Sequence, residues 1–193
     1  MHATELPRPF HRPGWVYEEK YDGWRMVAEK VDSQVSFTSR NGLDHTRRFH
    51  GLVKAVANLD APSFILDGEI ATFDRQLISR FEWLRTRPKH EVMTPPMYMV
   101  FDLLELAGDN LRTRPLRERR QALEELVVGR ELIIPTRRLP DNGLEAWDEV
   151  LRGNYEGMVA KDPDSAYAPG RTLSWLKVKQ RGYRQEARGF DQR

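Results

Sequence analysis

The sequence predicts an α+β fold built on largely antiparallel sheets. Short apolar or alternating segments bounded by turn residues recur along the whole chain. Segments with helical spacing interrupt them, but at irregular intervals. The regular strand–helix–strand alternation that would feed a doubly wound parallel sheet is missing.

The elements follow in order. Residues 1–14 carry three prolines and read as an extended lead-in. Trp15–Lys20 and Trp24–Lys30 are predicted strands around a short turn at Asp22-Gly23, and Gln34–Ser39 is a third. Asn41-Gly42 is a turn of hairpin type. Arg48–Leu59 places Phe49, Leu52, Val53 and Val56 at helical spacing. Ser63–Phe73 reads as a buried strand interrupted by Asp67-Gly68-Glu69, Ser79–Arg87 as a short helix and Met97–Leu104 as a dense apolar strand. Gly108-Asp109-Asn110 turns the chain, and Arg117–Val128 after Pro115 is a helix with Leu123, Leu126 and Val127 on its apolar side. Glu131–Ile134 is a strand, Leu144–Leu151 a helix, and Gly157–Lys161 and Ser174–Lys179 are the last two strands.

The 193 residues suit one domain with at most a small appendage. A hydrophobic content of 39% with 10% aromatics supplies a core and excludes a disordered chain. There are no cysteines, so disulfides and thiolate metal sites are excluded. The five histidines, at 2, 11, 45, 50 and 90, show no metal-ligand spacing. No apolar run reaches the ~18 residues of a membrane span, and the N-terminus lacks a signal-peptide core. A cytoplasmic protein without membrane contact is expected. Net charge is only +2, but basic residues cluster. Arg171, Lys177, Lys179, Arg181, Arg184, Arg188 and Arg193 face only Glu186 and Asp191 in the last stretch, as suits phosphate binding. The arginines of Arg112–Arg120 read instead as a solvated helix start.

Seven charged residues sit in or beside strands that otherwise look buried: Lys20, Asp67, Glu69, Glu156, Lys161, Lys177 and Lys179. An unpaired buried charge is costly, so such residues pair, face a cleft or bind ions. Their spread over separate strands points to a polar cleft lined by both signs, as a polyphosphate with a divalent metal requires. Lys177 and Lys179 alternate with Leu176 and Val178, which puts both lysines on one strand face. A lysine such as Lys20 attacks only when deprotonated, and its reference pKa is about 10.4. Desolvation or nearby positive charge frees such a nucleophile. Alone, Lys20-Tyr21-Asp22-Gly23 also suits a surface hairpin.

Glu18-Glu19-Lys20-Tyr21-Asp22-Gly23-Trp24-Arg25 resembles nucleotidyltransferase motif I of ATP-dependent DNA ligases. Ser39-Arg40-Asn41-Gly42 resembles the arginine motif that follows, Leu66-Asp67-Gly68-Glu69 motif III, and Phe101-Asp102-Leu103-Leu104 motif IIIa. Glu156-Gly157-Met158-Val159-Ala160-Lys161 resembles motif IV, and Trp175-Leu176-Lys177-Val178-Lys179 motif V. All six keep the family's order between Trp15 and Lys179. Tyr167-Ala168-Pro169-Gly170-Arg171 is similar to the ligase modules of bacterial end-joining enzymes.

The resemblance implies two antiparallel sheets flanked by helices, an ATP-grasp-like nucleotidyltransferase domain with ATP in the groove. Lys20 would become linked to AMP with release of pyrophosphate, and AMP would pass to a DNA 5′-phosphate for sealing. Glu18 would read the adenine amino group, and Arg25 and Arg40 would contact ribose and phosphates. Phe101 would stack on adenine, with Met158 or Val159 opposite. Lys161, Arg171, Lys177 and Lys179 would complete the ATP/AMP-binding set. Asp67, Glu69 and Glu156 would hold Mg2+ or Mn2+, with Asp67 positioning metal or lysine and Glu69 alternatively holding the ribose hydroxyl. Partners implied are nicked or broken duplex DNA, a separate OB-fold domain and other end-joining proteins. The expected organisation is a lead-in at 1–14, the adenylation domain at 15–180 and a basic tail at 181–193, where an OB-fold domain would begin in such ligases. An RNA-ligase or capping-type transferase shares the lysine motif, and an ATP- or DNA-binding fragment needing partner domains is the alternative of a different class.

Overall fold

The structure is a computed structural model that describes residues 1–91 and 93–183. The elements in chain order are β1 (His2–Glu5), β2 (Val16–Lys20), β3 (Trp24–Val31), β4 (Gln34–Ser39), α1 (His50–Ala57), β5 (Ser63–Ala71), α2 (Phe81–Arg85), β6 (Met97–Leu106), β7 (Asp109–Asn110), α3 (Leu116–Val127), β8 (Ile133–Pro135), α4 (Gly143–Gly153), β9 (Gly157–Lys161) and β10 (Arg171–Lys179). Every helix and strand read from the sequence is present, with ends displaced by a few residues. The part of the basic tail from 184 onward, with Arg184, Arg188 and Arg193, lies outside the described residues.

Two sheets form. One has the order β1-β10-β9-β2, and the other β4-β3-β5-β6-β7 with β8 beside β6. Pairing is antiparallel throughout except β1 on β10 and β8 on β6. The lead-in is therefore more than a tether, because His2–Glu5 forms the edge strand of the first sheet. The sequence hides this, since four residues of mixed polarity carry no period.

Each sheet has its own core. Behind the second sheet, α1 contributes Leu52 and Val56, α3 contributes Leu123 and Val127, and the strands supply Phe37, Phe64, Leu66, Val100 and Leu103. Behind the first sheet, Ala146 and Val150 of α4 pack on Tyr17, Met158, Ala160 and Val178. Helix α4 starts where Asn142 accepts a 2.9 Å bond from the Leu144 N–H and stops at left-handed Asn154. With helices behind both sheets, the polar strand faces meet between them.

The Arg112–Arg120 cluster is not wholly a solvated helix start. Arg119 and Arg120 are buried. Arg119 grips Asp102 with two bonds of 2.7 and 2.8 Å and also donates to the Arg114 and Ser165 carbonyls. Helical geometry explains the split: Leu116, Arg119, Arg120 and Leu123 lie three or four apart on the face that meets the sheet. Arg112, Arg114 and Arg117 remain on the surface, the last two paired with Asp109 and Asp164.

Candidate active site

Strand β2 ends at Lys20 in the first sheet, and β3 begins at Trp24 in the second. Tyr21-Asp22-Gly23 is therefore a crossover between sheets, not the tip of a hairpin. The Asp22 N–H donates to Ser79 Oγ at 2.8 Å. A Cβ on Gly23 would lie 2.3 Å from the Ile70 carbonyl oxygen and 2.9 Å from the Glu69 side chain. Only glycine lets the crossover come this close to β5. Lys20 is paired in register with Gly157, where a Cβ would lie 2.1 Å from the Val178 carbonyl oxygen. The free edge of β2 is covered by residues 137–139: Glu19 N–H donates to the Arg137 carbonyl and Leu139 N–H to that of Tyr17.

Two cavities open beside Lys20, which lines both. The larger, about 280 Å³, is lined by His2, Ala3, Glu18, Glu19, Lys20, Tyr21, Arg25, Arg40, Glu69, Phe101, Thr136, Val159, Lys161, Trp175 and Lys177. The smaller, about 220 Å³, is lined by Lys20, Tyr21, Asp22, Gly23, Glu69, Phe81, Glu156 and Lys179. Nine of the residues singled out in the sequence meet in the larger cavity (Glu18, Lys20, Arg25, Arg40, Glu69, Phe101, Val159, Lys161, Lys177). Glu156 and Lys179 stand at the smaller one.

The Lys20 amine donates to Glu156 Oε2 at 2.5 Å, and Lys179 Nζ lies 3.3 Å from the other oxygen. Glu69 makes no hydrogen bond or ion pair among the described residues. Burial pushes its carboxyl up to about 8, with Glu156 and Asp67 pushing the same way against Lys20 and Arg25. Two carboxylates lining one cavity, one of them unpaired and held proton-bound, fit a site that a divalent cation would complete.

Glu18 is buried with both oxygens in use. Lys161 Nζ and Thr136 Oγ1 donate to Oε2 at 2.6 and 2.7 Å, and Arg120 Nη1 to Oε1 at 3.2 Å. Burial alone would raise the Glu18 carboxyl, but Lys161, Arg120 and the Thr136 hydroxyl outweigh it and hold Glu18 below the usual carboxylate range. Phe101 reaches the cavity because it is the bulged residue of β6. Asp67 pairs with Asp102 and Gly68 with Val100, so Phe101 is the extra residue between them. The Lys161 ammonium sits 4.8 Å from its ring centroid and 4.3 Å from that of Trp175.

Three expectations need correction. Asp67 lines neither cavity. Its oxygens take Arg25 Nε and Nη2 at 3.0 and 2.6 Å and the Tyr167 hydroxyl at 2.8 Å. A fully buried carboxylate so occupied orients Arg25 and does not suit a metal-ligand or lysine-positioning role. Met158 lies in the core behind the first sheet, because strand alternation gives the cleft face to Val159 and Lys161. Arg171, at the start of β10, is exposed and lines neither cavity. Thr136, Trp175 and His2 also line the larger cavity. Trp175 was legible, since it shares the strand parity of Lys177 and Lys179. Thr136 follows a three-residue strand and carries no local signal.

Two sheets with a lysine at their crossover, and a cleft lined by both signs, define the nucleotidyltransferase domain architecture of DNA ligases. Residues 2–179 match the ATP dependent DNA ligase domain family, and the chain belongs to it. The multifunctional non-homologous end joining protein LigD of Mycolicibacterium smegmatis is 34% identical over 166 residues, 86% of this chain and 21% of that protein. The ligase domain of LigD from M. tuberculosis superposes with a TM-score of 0.74 at 30% identity, covering 92% of this chain and 60% of that one. A mycobacterial DNA ligase D complexed with ATP and MES gives 0.72 at 29% identity, with the same coverages. The chain thus spans about a fifth of the length of the LigD proteins it matches.

Proposed function

We propose that this chain uses ATP to adenylate Lys20 and passes the AMP to the 5′-phosphate of nicked or broken duplex DNA, in DNA repair by end joining. The observation that carries the reading is Lys20 itself, the nucleophile type that stands at the junction of both cavities. The larger cavity offers an aromatic face at Phe101 and an acceptor-only carboxylate at Glu18, which suit a purine bearing an amino group. Arg25, Arg40 and Lys177 line the same cavity and would neutralise phosphate oxygens. Lys179 stands across from Glu156 in the smaller one and would assist. Arg171 would meet nucleic acid from the surface.

The Lys20 nitrogen would attack the α-phosphorus, forming a P–N bond as the bond to the bridging oxygen breaks and pyrophosphate leaves. Glu156 Oε2, 2.5 Å from the amine, is the base within reach of its proton. A Mg2+ or Mn2+ ion held by Glu69 and Glu156 would supply charge neutralisation at the phosphates. The DNA 5′-phosphate would next take the AMP, and a 3′-hydroxyl would displace it to seal the strand. The domain is proposed to span 15–180 together with β1, and to work with an OB-fold domain and other end-joining proteins in the cytoplasm. Among the described residues no helix is long and apolar enough to cross a membrane.

Intact mass before and after ATP with Mg2+ tests the first step. The expected result is one added AMP on the native chain and none on Lys20→Ala. An adduct surviving in Lys20→Ala, or no adduct under any condition, would overturn self-adenylation on Lys20. GTP in place of ATP separates capping chemistry, and nicked RNA in place of nicked DNA separates RNA ligation.

A further inference from the structure

Arg25 carries a second support that comes from outside its own sheet. Asp67 binds Nε and Nη2 of its guanidinium, and Nη1 lies 3.2 Å from Nδ1 of His2. A guanidinium only donates, so Nδ1 must be the acceptor. The imidazole is then neutral, with its proton on Nε2. A protonated ring would set two donors and two positive charges against each other at that distance. Burial lowers the His2 pKa, and Arg25, Arg40 and the N-terminal ammonium lower it further against the opposing Asp67.

The ring is placed by backbone. His2 N–H donates to the Gly170 carbonyl at 2.7 Å, and β1 lies parallel to β10 with His2 opposite Arg171. His2 and Arg25 both line the larger cavity. The Arg25 guanidinium sits 5.3 Å from the Phe101 ring centroid. Of the roughly five N–H donors of a guanidinium, Asp67 and His2 account for three among the described residues. The others are left for a ligand.

We infer that His2 is a positioning residue of the cleft, which clamps the Arg25 guanidinium from the first sheet so that its remaining N–H groups meet the oxygens of a bound nucleoside triphosphate. Arg25 is thereby gripped from both sheets at once, Asp67 from one and His2 from the other. The inference rests on the nucleotide-site reading above.

Two measurements on the full chain test it. A long-range 1H–15N spectrum of the histidine rings, with His2 assigned by comparison with His2→Asn, reads the tautomer without any nucleotide. The Nε2–H form is expected at pH 7.5; an Nδ1–H or charged ring would overturn the clamp. The second measurement is binding of an ATP analogue with a methylene in place of the α,β-bridging oxygen. His2→Leu removes the acceptor and is expected to weaken binding about five- to tenfold. His2→Asn keeps an oxygen acceptor near the Nδ1 position and is expected to restore most of it, with unchanged Tm in both variants. Equal affinity of wild type and His2→Leu, or an equal loss in both variants, would overturn the inference. If the wild type itself binds no analogue, the nucleotide-site reading fails, and the ring tautomer still decides whether His2 clamps Arg25.

Discussion

Glu69 and Glu18 are both carboxylates on strands lining one cleft, yet their surroundings drive them apart. Glu18 has Lys161, Arg120 and Thr136 on its oxygens and stays ionised. Glu69 has no such partners among the described residues, and burial lifts it from 4.5 to about 8. A folded-state pKa above the unfolded one means the native protein holds the proton more tightly between those values. Stability from this group is therefore greatest at low pH and declines as pH rises from about 4.5 toward 8. Denaturant unfolding of wild type and Glu69→Gln with chelator present checks this. The wild type should lose on the order of 1–2 kcal/mol relative to the variant between pH 5 and pH 8, a figure reduced because Glu69 is part-exposed. A constant gap would show that Glu69 titrates normally. Lys20 and Glu69 stand out in the sequence as charges in or beside strands, whereas Glu18 is named only through the ligase resemblance. Its partners were not legible, since Arg120 and Thr136 are 102 and 118 residues from Glu18. Met158 and Val159 differ only by strand parity, and that parity follows from the register of β9 on β2 and β10.

At the level of elements, the decisive feature is the crossover from β2 to β3. Turn chemistry at Asp22-Gly23 was plain in the sequence, but turn residues say nothing of which strands pair. The answer lies in non-local registers: β2 joins β9, while β3 joins β4 and β5. Gly23 is where this matters most. Its φ is not left-handed, so its need for glycine comes from the approach of β5. Gly23→Ala would push the crossover off the Ile70 carbonyl, and the neighbouring atom is backbone, which cannot rotate away. A cost of about 1–3 kcal/mol is expected from overpacking, together with loss of Lys20 adenylation beyond what the lower stability explains. Tm and adduct yield, compared at a temperature where the variant is folded, measure the two effects. Full adduct formation in a folded Gly23→Ala protein would show that the close approach is dispensable. The bulge at Phe101 is a second element-scale device. It places Phe101 and Asp102 consecutively between the core residues Val100 and Leu103, so one is offered to the cleft and the other to Arg119. A dense apolar segment such as Met97–Leu104, broken only by Asp102, conceals a bulge, because its remaining positions are all hydrophobic and show no alternation.

Across the whole molecule, the two sheets carry separate cores and meet through a polar cleft. The direct ties between them are few in kind. They include the Tyr21–Gly23 crossover, the residues after β8 that hydrogen-bond first to Val100 and then along β2, and the contacts of Tyr167 and Trp175 with Asp67 and Phe101. A further tie is the buried ion pair of Arg120, on α3 behind the second sheet, with Glu18 of the first. A nucleotide spanning Glu18, Arg25 and Lys177 would join residues of both sheets and bind only when they are together. Ligand that binds the native state alone stabilises it by about 2.7 kcal/mol at a hundredfold excess over Kd. For a domain of this size that corresponds to a Tm rise of roughly 5–10 °C. The methylene analogue of ATP should produce such a rise, increasing with its concentration, in one cooperative transition for both sheets. A rise confined to one of two separable transitions would mean that the nucleotide contacts a single sheet. No rise at the highest analogue concentration would mean that the native protein does not bind the nucleotide.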